Sequence, residues 1–98
     1  MENNILGQRL KELRIENGLT QEEFGQPYNI KKSTVSQYES GASRPDDELK
    51  IRIASDYEVS LDWLMGFSDT RSLFEDLTDD EMMEVIKFIE FLKYKRNK

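Results

Sequence analysis

The fold of this chain is decided by the stretch from residue 19 to residue 41. It reads LTQEEFGQ over residues 19–26, PYNIK over residues 27–31 and KSTVSQYESG over residues 32–41. Thr20 and Glu23 form the two ends of a capping box, which predicts that a helix begins there. Pro27 cannot continue that helix, because it lacks an N–H and disfavours helical geometry at the residue before it. The stretch therefore predicts two short helices joined by a tight turn, in which Asn29 takes the left-handed conformation.

The second of these helices, predicted over residues 32–40, divides its side chains between two faces. Val35 and Tyr38 are apolar and lie on one side, whereas small polar side chains and Gln37 lie on the other. A short helix of this kind can pack its apolar side on a core and place its polar side in a DNA major groove. The same polar face also fits a helix that is simply solvated, and these residues alone leave both interpretations open.

Composition restricts the class of protein. Ninety-eight residues are enough for one domain with one appended element, and an apolar fraction of 37% supports a small core. The chain has neither Cys nor His, which excludes disulfides, thiolate and imidazole chemistry and the usual zinc sites. No segment approaches the roughly 18 apolar residues of a membrane span, and the N-terminus lacks a signal-peptide pattern. We therefore expect a soluble cytoplasmic protein with no membrane association.

The charge of the chain is distributed unevenly. The net charge is −6, which by itself disfavours binding to a polyanion such as DNA. Residues 31–45 nevertheless carry three basic side chains and one acidic one, a net charge of +2, whereas residues 67–90 carry a net charge of −6. The acidity therefore lies away from the polar face of the second helix. It lowers non-specific affinity for DNA without excluding specific binding.

Three further helices are expected around this pair. The first begins at Asn3 or Asn4 and ends before Gly18, the fourth begins at the Asp46–Asp47 pair, and a short fifth is capped by Ser60. Helical spacing of the apolar residues predicts which side chains face the core. They are Leu6, Leu10, Leu13, Phe24, Leu49, Ile53, Ala54, Tyr57 and Trp63, while Leu61 and Leu64 complete the short fifth helix.

The C-terminal helix is the second informative feature of the sequence. Thr78 and Glu81 form another capping box, and basic side chains occupy the last turns, so both ends match the helix dipole. Six apolar side chains fall on one arc of about 160°. They are Met82, Val85, Ile86, Phe88, Ile89 and Leu92. This face either covers the core of its own domain or pairs with another molecule, and Phe91 on the opposite, polar side favours an interaction surface.

Residues 6–66 resemble the lambda-repressor/Cro-type helix-turn-helix family of five-helix DNA-binding domains. The resemblance is carried by four blocks in the family's order: GLTQEEF at 18–24, STVSQYESG at 33–41, RP at 44–45 and VSLDWLMG at 59–66. It implies an all-α fold, with a DNA-binding domain over residues 1–66 in which helix two spans about 20–27 and the recognition helix about 32–40. Residues 67–77 are then a connector, expected to dock through Phe67, Leu73, Phe74 and Leu77. Residues 78–98 form the C-terminal helix, which we expect to be the dimerisation element.

The resemblance also implies roles for residues at matching positions. The side chains expected to meet base edges are Lys32, Ser33, Thr34, Ser36 and Gln37. Those expected to hold the phosphate backbone are Arg14, Gln21, Lys31, Ser40 and Arg44. Arg14 and Glu39 match an ion pair typical of the family, which would tie helix one to the recognition helix. Five positions depart from the family pattern. Gly25, Pro27 and Asn29 do so at the end of helix two and in the turn, and Asp47 and Lys50 do so in helix four.

The function expected on this basis is that of a sequence-specific DNA-binding transcriptional regulator. It would repress by binding a palindromic operator as a homodimer through the helix at 32–40, with double-stranded DNA as its partner and no cofactor or metal. The alternative is a protein-interaction module such as an antitoxin, which engages a heterologous partner through helix 78–96. We do not expect an enzyme, because no residues remain to build the self-cleaving Ser/Lys domain that larger members of the family carry.

Overall fold

The computed structural model describes residues 4–71 and 77–97, which form six α-helices and no β-strand. The helices are α1 (Ile5–Glu16), α2 (Gln21–Gly25), α3 (Lys32–Ser40), α4 (Asp47–Asp56), α5 (Leu61–Met65) and α6 (Asp79–Arg96), and a 3₁₀ turn covers Gln26–Tyr28. The all-α prediction, with five helices followed by a C-terminal helix, is confirmed. None of the helices in the two described ranges combines the length and apolar content that a membrane span requires.

Side-chain caps start the helices where the sequence places them. Asn4 accepts a hydrogen bond from the Gly7 N–H and so begins α1. Thr20 and Thr78 each form a complete capping box with the glutamate three residues on, at the starts of α2 and α6. These bonds satisfy amide groups that have no partner inside a helix, which fixes where each helix begins.

Helix two is shorter than the predicted span of 20–27. It ends at Gly25, because Pro27 has no N–H to donate to the carbonyl of Glu23, and the chain continues as the 3₁₀ turn. Asn29 then takes the predicted left-handed conformation, with φ of 57°. The Ile30 N–H donates to the Gly25 carbonyl at 3.1 Å, which closes the turn between α2 and α3.

The core lies where α1, α3, α4 and α5 meet α2 and the 3₁₀ turn. Its buried apolar residues are Leu6, Leu10, Leu13, Phe24, Tyr28, Val35, Ile53, Ala54, Val59, Trp63 and Leu64, with Leu19, Ile30, Tyr38, Leu49, Tyr57 and Met65 packed against them. The predicted inward residues are thus confirmed, and Leu61 of α5 is exposed. The rings of Phe24 and Tyr57 stack with centroids 5.6 Å apart. This core supports α3 from behind and leaves its other face open.

Trp63 joins α5 to the first helix. The guanidinium of Arg9 lies 4.6 Å from the Trp63 ring centre, and that of Arg71 lies 5.1 Å from it. Arg9 also donates to the Trp63 carbonyl, and Arg71 forms an ion pair with Glu16. Cation–π contacts and hydrogen bonds therefore hold the end of the five-helix body against α1.

The connector and α6 differ from the rest of the chain in their burial. The prediction that Phe67 docks is wrong: its side chain is 79% exposed, while its N–H closes the end of α5 on the Asp62 carbonyl. Leu77 is half-buried, and Leu73 and Phe74 lie outside the described residues. Every residue of α6 is at least partly exposed. Within the described ranges, α6 therefore does not complete the core of the five-helix body.

Candidate nucleic-acid interface

The outward face of α3 carries the side chains that the sequence predicts to meet bases. Lys32, Ser33, Ser36 and Gln37 are exposed, and Thr34 is half-buried. On the opposite side, Val35 is 1% exposed and anchors the helix in the core. The structure thus brings all five predicted base-contacting residues together on one short helix, and four of them are exposed.

Gln37 contacts a residue that sequence reasoning missed. The Ser43 hydroxyl donates to the Gln37 side-chain oxygen at 3.4 Å, and the Ser43 N–H donates to the Gln37 backbone carbonyl at 3.2 Å. This is possible because Gly41 ends α3 with φ of 84° and turns the chain back along the helix. The signal available in the sequence was a polar residue two positions after the glycine that stops the helix.

Glu39 is the centre of a hydrogen-bonded cluster behind the exposed face. Arg14 Nε donates to Glu39 Oε2 at 2.7 Å and Arg14 Nη2 donates to Oε1 at 3.1 Å, so the expected ion pair is confirmed. The side chains of Arg14 and Glu39 are only 14% and 6% exposed. Gln21 Nε2 also donates to Glu39 Oε1, at 3.2 Å. The cluster therefore ties α1 and the first turn of α2 to α3.

The same cluster sets the electrostatics of Arg14. The hydrogen bonds that Arg14 donates to the Glu39 carboxylate raise the pKa of Arg14 above its ordinary value, with partial opposition from burial. Arg14 Nη1 additionally donates to the Leu19 carbonyl at 3.0 Å. Each of the three guanidinium nitrogens thus already has one partner in the chain, which fixes the plane of the group.

The other predicted phosphate-contacting residues lie at the two ends of α3. Lys31 and Arg44 are exposed before and after the helix. Ser40 is exposed too, but its hydroxyl donates to the Gln37 carbonyl at 3.1 Å and accepts from the Ala42 N–H at 3.3 Å. Lys31 provides no side-chain cap, so it leaves the first amide groups of α3 available to an anion.

Two further contacts position α3 on α1. Asn4 Nδ2 donates to the Glu39 backbone carbonyl at 2.8 Å, in addition to capping α1 through its oxygen. A Cβ at Gly7 would lie 2.4 Å from the Tyr38 carbonyl oxygen, so only glycine allows this close approach of the two backbones. The sequence indicated Asn4 as a cap, and nothing in its spacing revealed the second bond.

An exposed short helix, supported from behind by a helix that precedes it across a tight turn, is the architecture of helix-turn-helix proteins. The chain belongs to the Cro/lambda-repressor-type helix-turn-helix family, whose sequence model, described as helix-turn-helix, matches residues 10–64. This match contains both helices of the motif and the complete Arg14–Glu39 pair.

Individual relatives agree with this assignment. The chain is 35% identical to the HTH-type transcriptional regulator ImmR of Bacillus subtilis (strain 168), over 84% of this chain and 65% of that protein. It is 28% identical to the cryptic phage CTXphi transcriptional repressor RstR of Vibrio cholerae, over 90% of this chain and 74% of that protein. The crystal structure of a transcriptional regulator from Listeria innocua shares the fold, with a TM-score of 0.61 and 24% identity over 91% of this chain and 92% of that one. The chain thus spans less than two thirds of the length of ImmR.

Proposed function

We propose that this chain is a DNA-binding transcriptional repressor that acts as a homodimer on a palindromic operator. The observation that carries the proposal is the outward face of α3, where Lys32, Ser33 and Gln37 are exposed on a helix held in position by Glu39. A helix face that is simply solvated does not need a fixed orientation, whereas reading of base edges does. The nearly buried ion pair with Glu39 supplies such a fixed orientation. The family membership and the names of the relatives support the same function.

In this proposal α3 lies in the major groove and reads bases directly. Gln37 can form two hydrogen bonds to adenine, and Lys32 can reach O6 or N7 of guanine. The Ser43 hydroxyl lies 3.4 Å from the Gln37 side-chain oxygen, a long and solvent-exposed contact that leaves the Gln37 amide free to meet a base. Thr34, Ser33 and Ser36 supply shorter hydroxyl or methyl contacts beside them.

The phosphate backbone would be held on both sides of α3. Lys31, Arg44 and the open amide groups at the start of α3 face outward there. Gln21 and Arg14 are the remaining candidates from the sequence, and Glu39 fixes both of them by hydrogen bonds. Phosphate contacts of this type set register on the duplex and make the affinity depend on salt. Ser40 would have to give up its bond to the Gln37 carbonyl in order to donate to a phosphate.

A homodimer is proposed because one short helix offers few base contacts. We assign residues 1–66 to DNA binding, residues 67–77 to a connector, and residues 78–98 to dimerisation through the apolar face of α6. Two-fold symmetry then requires two half-sites about one helical turn, roughly 34 Å, apart. Repression follows from occupation of promoter DNA, and the location of such a protein is the cytoplasm.

The decisive experiment is selection of bound sequences from random duplex DNA by the full chain. The proposal expects a palindrome, and it expects Gln37→Ala combined with Lys32→Ala to reduce affinity for it. Lys87→Ala is the matched control, because it removes a positive charge from an exposed position on α6. Recovery of no common sequence, or equal binding by the double variant and the control, would overturn the proposal.

A second candidate function is favoured by the exposed apolar side chains of α6. If a heterologous protein covers them, as it would in an antitoxin, the purified chain should be monomeric. Light scattering of the full chain separates the two cases, since a stable homodimer that is lost in an α6 variant supports the repressor. A monomer that binds a different protein through α6 supports the second function.

A further inference from the structure

The apolar side chains of α6 are spaced like those of a helix that pairs with another helix. Met82, Val85, Ile89 and Leu92 follow the alternating three- and four-residue spacing of a coiled-coil seam. Ile89 and Leu92 are exposed, and Met82 and Val85 are half-buried. Nothing in the described part of the chain fully covers this seam, so it is available to a partner.

Each flank of the seam carries an acid at one end and a base at the other. On one flank, residues spaced by seven are Asp79, Ile86 and Lys93; on the other they are Glu81, Phe88 and Lys95. In the described ranges, none of the four charged side chains forms an ion pair. Glu81 accepts the Thr78 N–H through Oε1 only, so Oε2 is still available. Within the described residues, these four charged groups are therefore still able to form ion pairs with a partner.

We infer that α6 pairs with α6 of a second copy in the antiparallel orientation. This inference rests on the homodimer of the proposed function and specifies its geometry. With Met82 level with Leu92 of the second copy, and Val85 level with Ile89, the seam residues form continuous apolar layers. The two-fold axis then crosses the pair at the level of residue 87, whose side chain points away from the seam, and Ile86 and Phe88 each lie next to their own counterparts at the centre.

Charge complementarity selects this orientation over the parallel one. In the antiparallel arrangement, the start of each helix lies beside the end of the other. Asp79 therefore faces Lys93 of the second copy, and Glu81 faces Lys95 of the second copy. The two-fold axis repeats both contacts, so opposite charges face each other on both flanks and at both ends of the helix pair. A parallel pair would instead bring the acidic first turns together at one end and the basic last turns together at the other, which costs free energy.

The antiparallel pair also gives a separation that suits a palindromic site. The helix has 18 residues, so at 1.5 Å per residue it is about 27 Å long, and the two helix starts lie about that far apart. A parallel pair would place the two starts only about 10 Å apart, the distance between packed helix axes. The larger value is the one comparable with half-sites roughly 34 Å apart. Antiparallel pairing thus lets both five-helix bodies reach one face of the duplex.

The absence of cysteine from the chain makes orientation directly measurable. Full-length Met82→Cys and Leu92→Cys are prepared separately, then oxidised alone and as an equimolar mixture in a glutathione buffer. Antiparallel pairing brings residue 82 next to residue 92 of the second copy, whereas the two copies of residue 82 lie about 15 Å apart along the helix axis, too far for a disulfide. We expect a disulfide-linked dimer in the mixture and little in either variant alone.

Three outcomes distinguish this inference from the proposed dimer. The antiparallel orientation would be wrong if Met82→Cys alone forms disulfide-linked dimers. It would also be wrong if the mixture forms no linked dimer while light scattering shows a dimer. In both cases the proposed homodimer itself would still hold. A monomer by light scattering would overturn both, although a monomer that still binds DNA retains the DNA-binding part of the proposed function. As an independent check, Asp79→Lys should raise the dimer dissociation constant roughly fivefold, and adding Lys93→Asp should restore it. No rescue would contradict the pairing of these two ends.

Discussion

The carboxylate of Glu39 on α3 receives two hydrogen bonds from the guanidinium of Arg14 on α1, at 2.7 and 3.1 Å. Because both side chains are largely removed from water, neither charge is well solvated without the other. The two-point contact fixes not only the distance between the helices but also the rotation of α3 about its axis. The direction of Gln37, on the opposite side of α3, and that of Lys32, in its first turn, therefore depend on a pair that itself need not touch DNA.

Removal of the charge of Glu39 should destabilise the fold. We expect Glu39→Gln to lower the free energy of unfolding by about 2–3 kcal/mol, because Arg14 would remain nearly buried without its counter-ion. Urea unfolding followed by circular dichroism measures this change. Glu22→Gln, at an exposed position of α2, should change stability by less than about 0.5 kcal/mol. Equal effects of the two substitutions would show that the ion pair does not contribute to stability.

The turn between α2 and α3 should not tolerate an alanine at position 25. A Cβ at Gly25 would lie 2.5 Å from the Ile30 carbonyl oxygen, which is backbone and cannot move aside cheaply. We therefore expect Gly25→Ala to cost about 1–3 kcal/mol in unfolding free energy. Gln26→Ala, at the exposed next position, is the control, and thermal unfolding of both variants gives the comparison. A neutral or stabilising Gly25→Ala would mean that the turn relaxes freely.

Two substitutions on α3 should weaken operator binding in different ways. Gln37→Ala should cost about 1–3 kcal/mol of binding free energy and relax specificity at one base pair, with the salt dependence unchanged. Lys32→Ala should reduce the salt slope by about one if Lys32 contacts a phosphate, and should leave it unchanged if it contacts guanine. Fluorescence anisotropy with the selected operator over a range of salt concentrations measures both. A loss of affinity that is identical for every DNA sequence would contradict base reading by Gln37.

A charge in the seam of α6 should separate dimerisation from folding. Ile89 is 43% exposed in the single chain, so Ile89→Glu should shift the unfolding free energy of the five-helix body by less than about 0.5 kcal/mol. The same substitution should abolish the dimer in light scattering, because it buries an unpaired carboxylate in the interface. Lys87→Glu, on the polar side of the same helix, should leave the molecule dimeric. Unfolding of the body by Ile89→Glu would show instead that α6 belongs to the core.

The capping box of α2 should give stability that disappears in acid. The Thr20 N–H donates to the Glu23 carboxylate at 2.9 Å and holds the pKa of Glu23 below its ordinary value. A carboxyl with a lowered pKa stabilises the folded state above its unfolded pKa of about 4.3, and the contribution is lost as pH falls through the folded pKa. The stability advantage of the wild type over Glu23→Gln should therefore shrink between pH 7 and pH 3, as measured by urea midpoints. The exposed Glu12→Gln serves as the reference, and a constant difference for Glu23→Gln would contradict the cap.

The sequence predicted the local features of this protein well. Helix starts at Asn4, Thr20 and Thr78 follow from side chains that bond amides three residues on, an interaction decided within one turn of chain. A break near Pro27 was expected in the same way, although α2 ends at Gly25, before the predicted end at residue 27. The buried positions of α1 and α4 follow from helical periodicity, and the Arg14–Glu39 pair came from the family resemblance rather than from spacing.

What the sequence by itself determined is therefore the set of helices, the family, and which side of α3 is polar, because these depend on near neighbours and on repeating patterns. Only the tertiary structure shows that Ser43 contacts Gln37 and that Asn4 donates to the backbone carbonyl of Glu39. It alone also shows that Phe67 is exposed and that the seam of α6 is not fully covered. Contacts between residues as distant as Asn4 and Glu39 depend on how whole helices pack, and a local pattern does not encode that packing. The physical reason is that one turn of helix fixes a cap, whereas the orientation of α3 is fixed by the combined contacts of α1, α2 and the core.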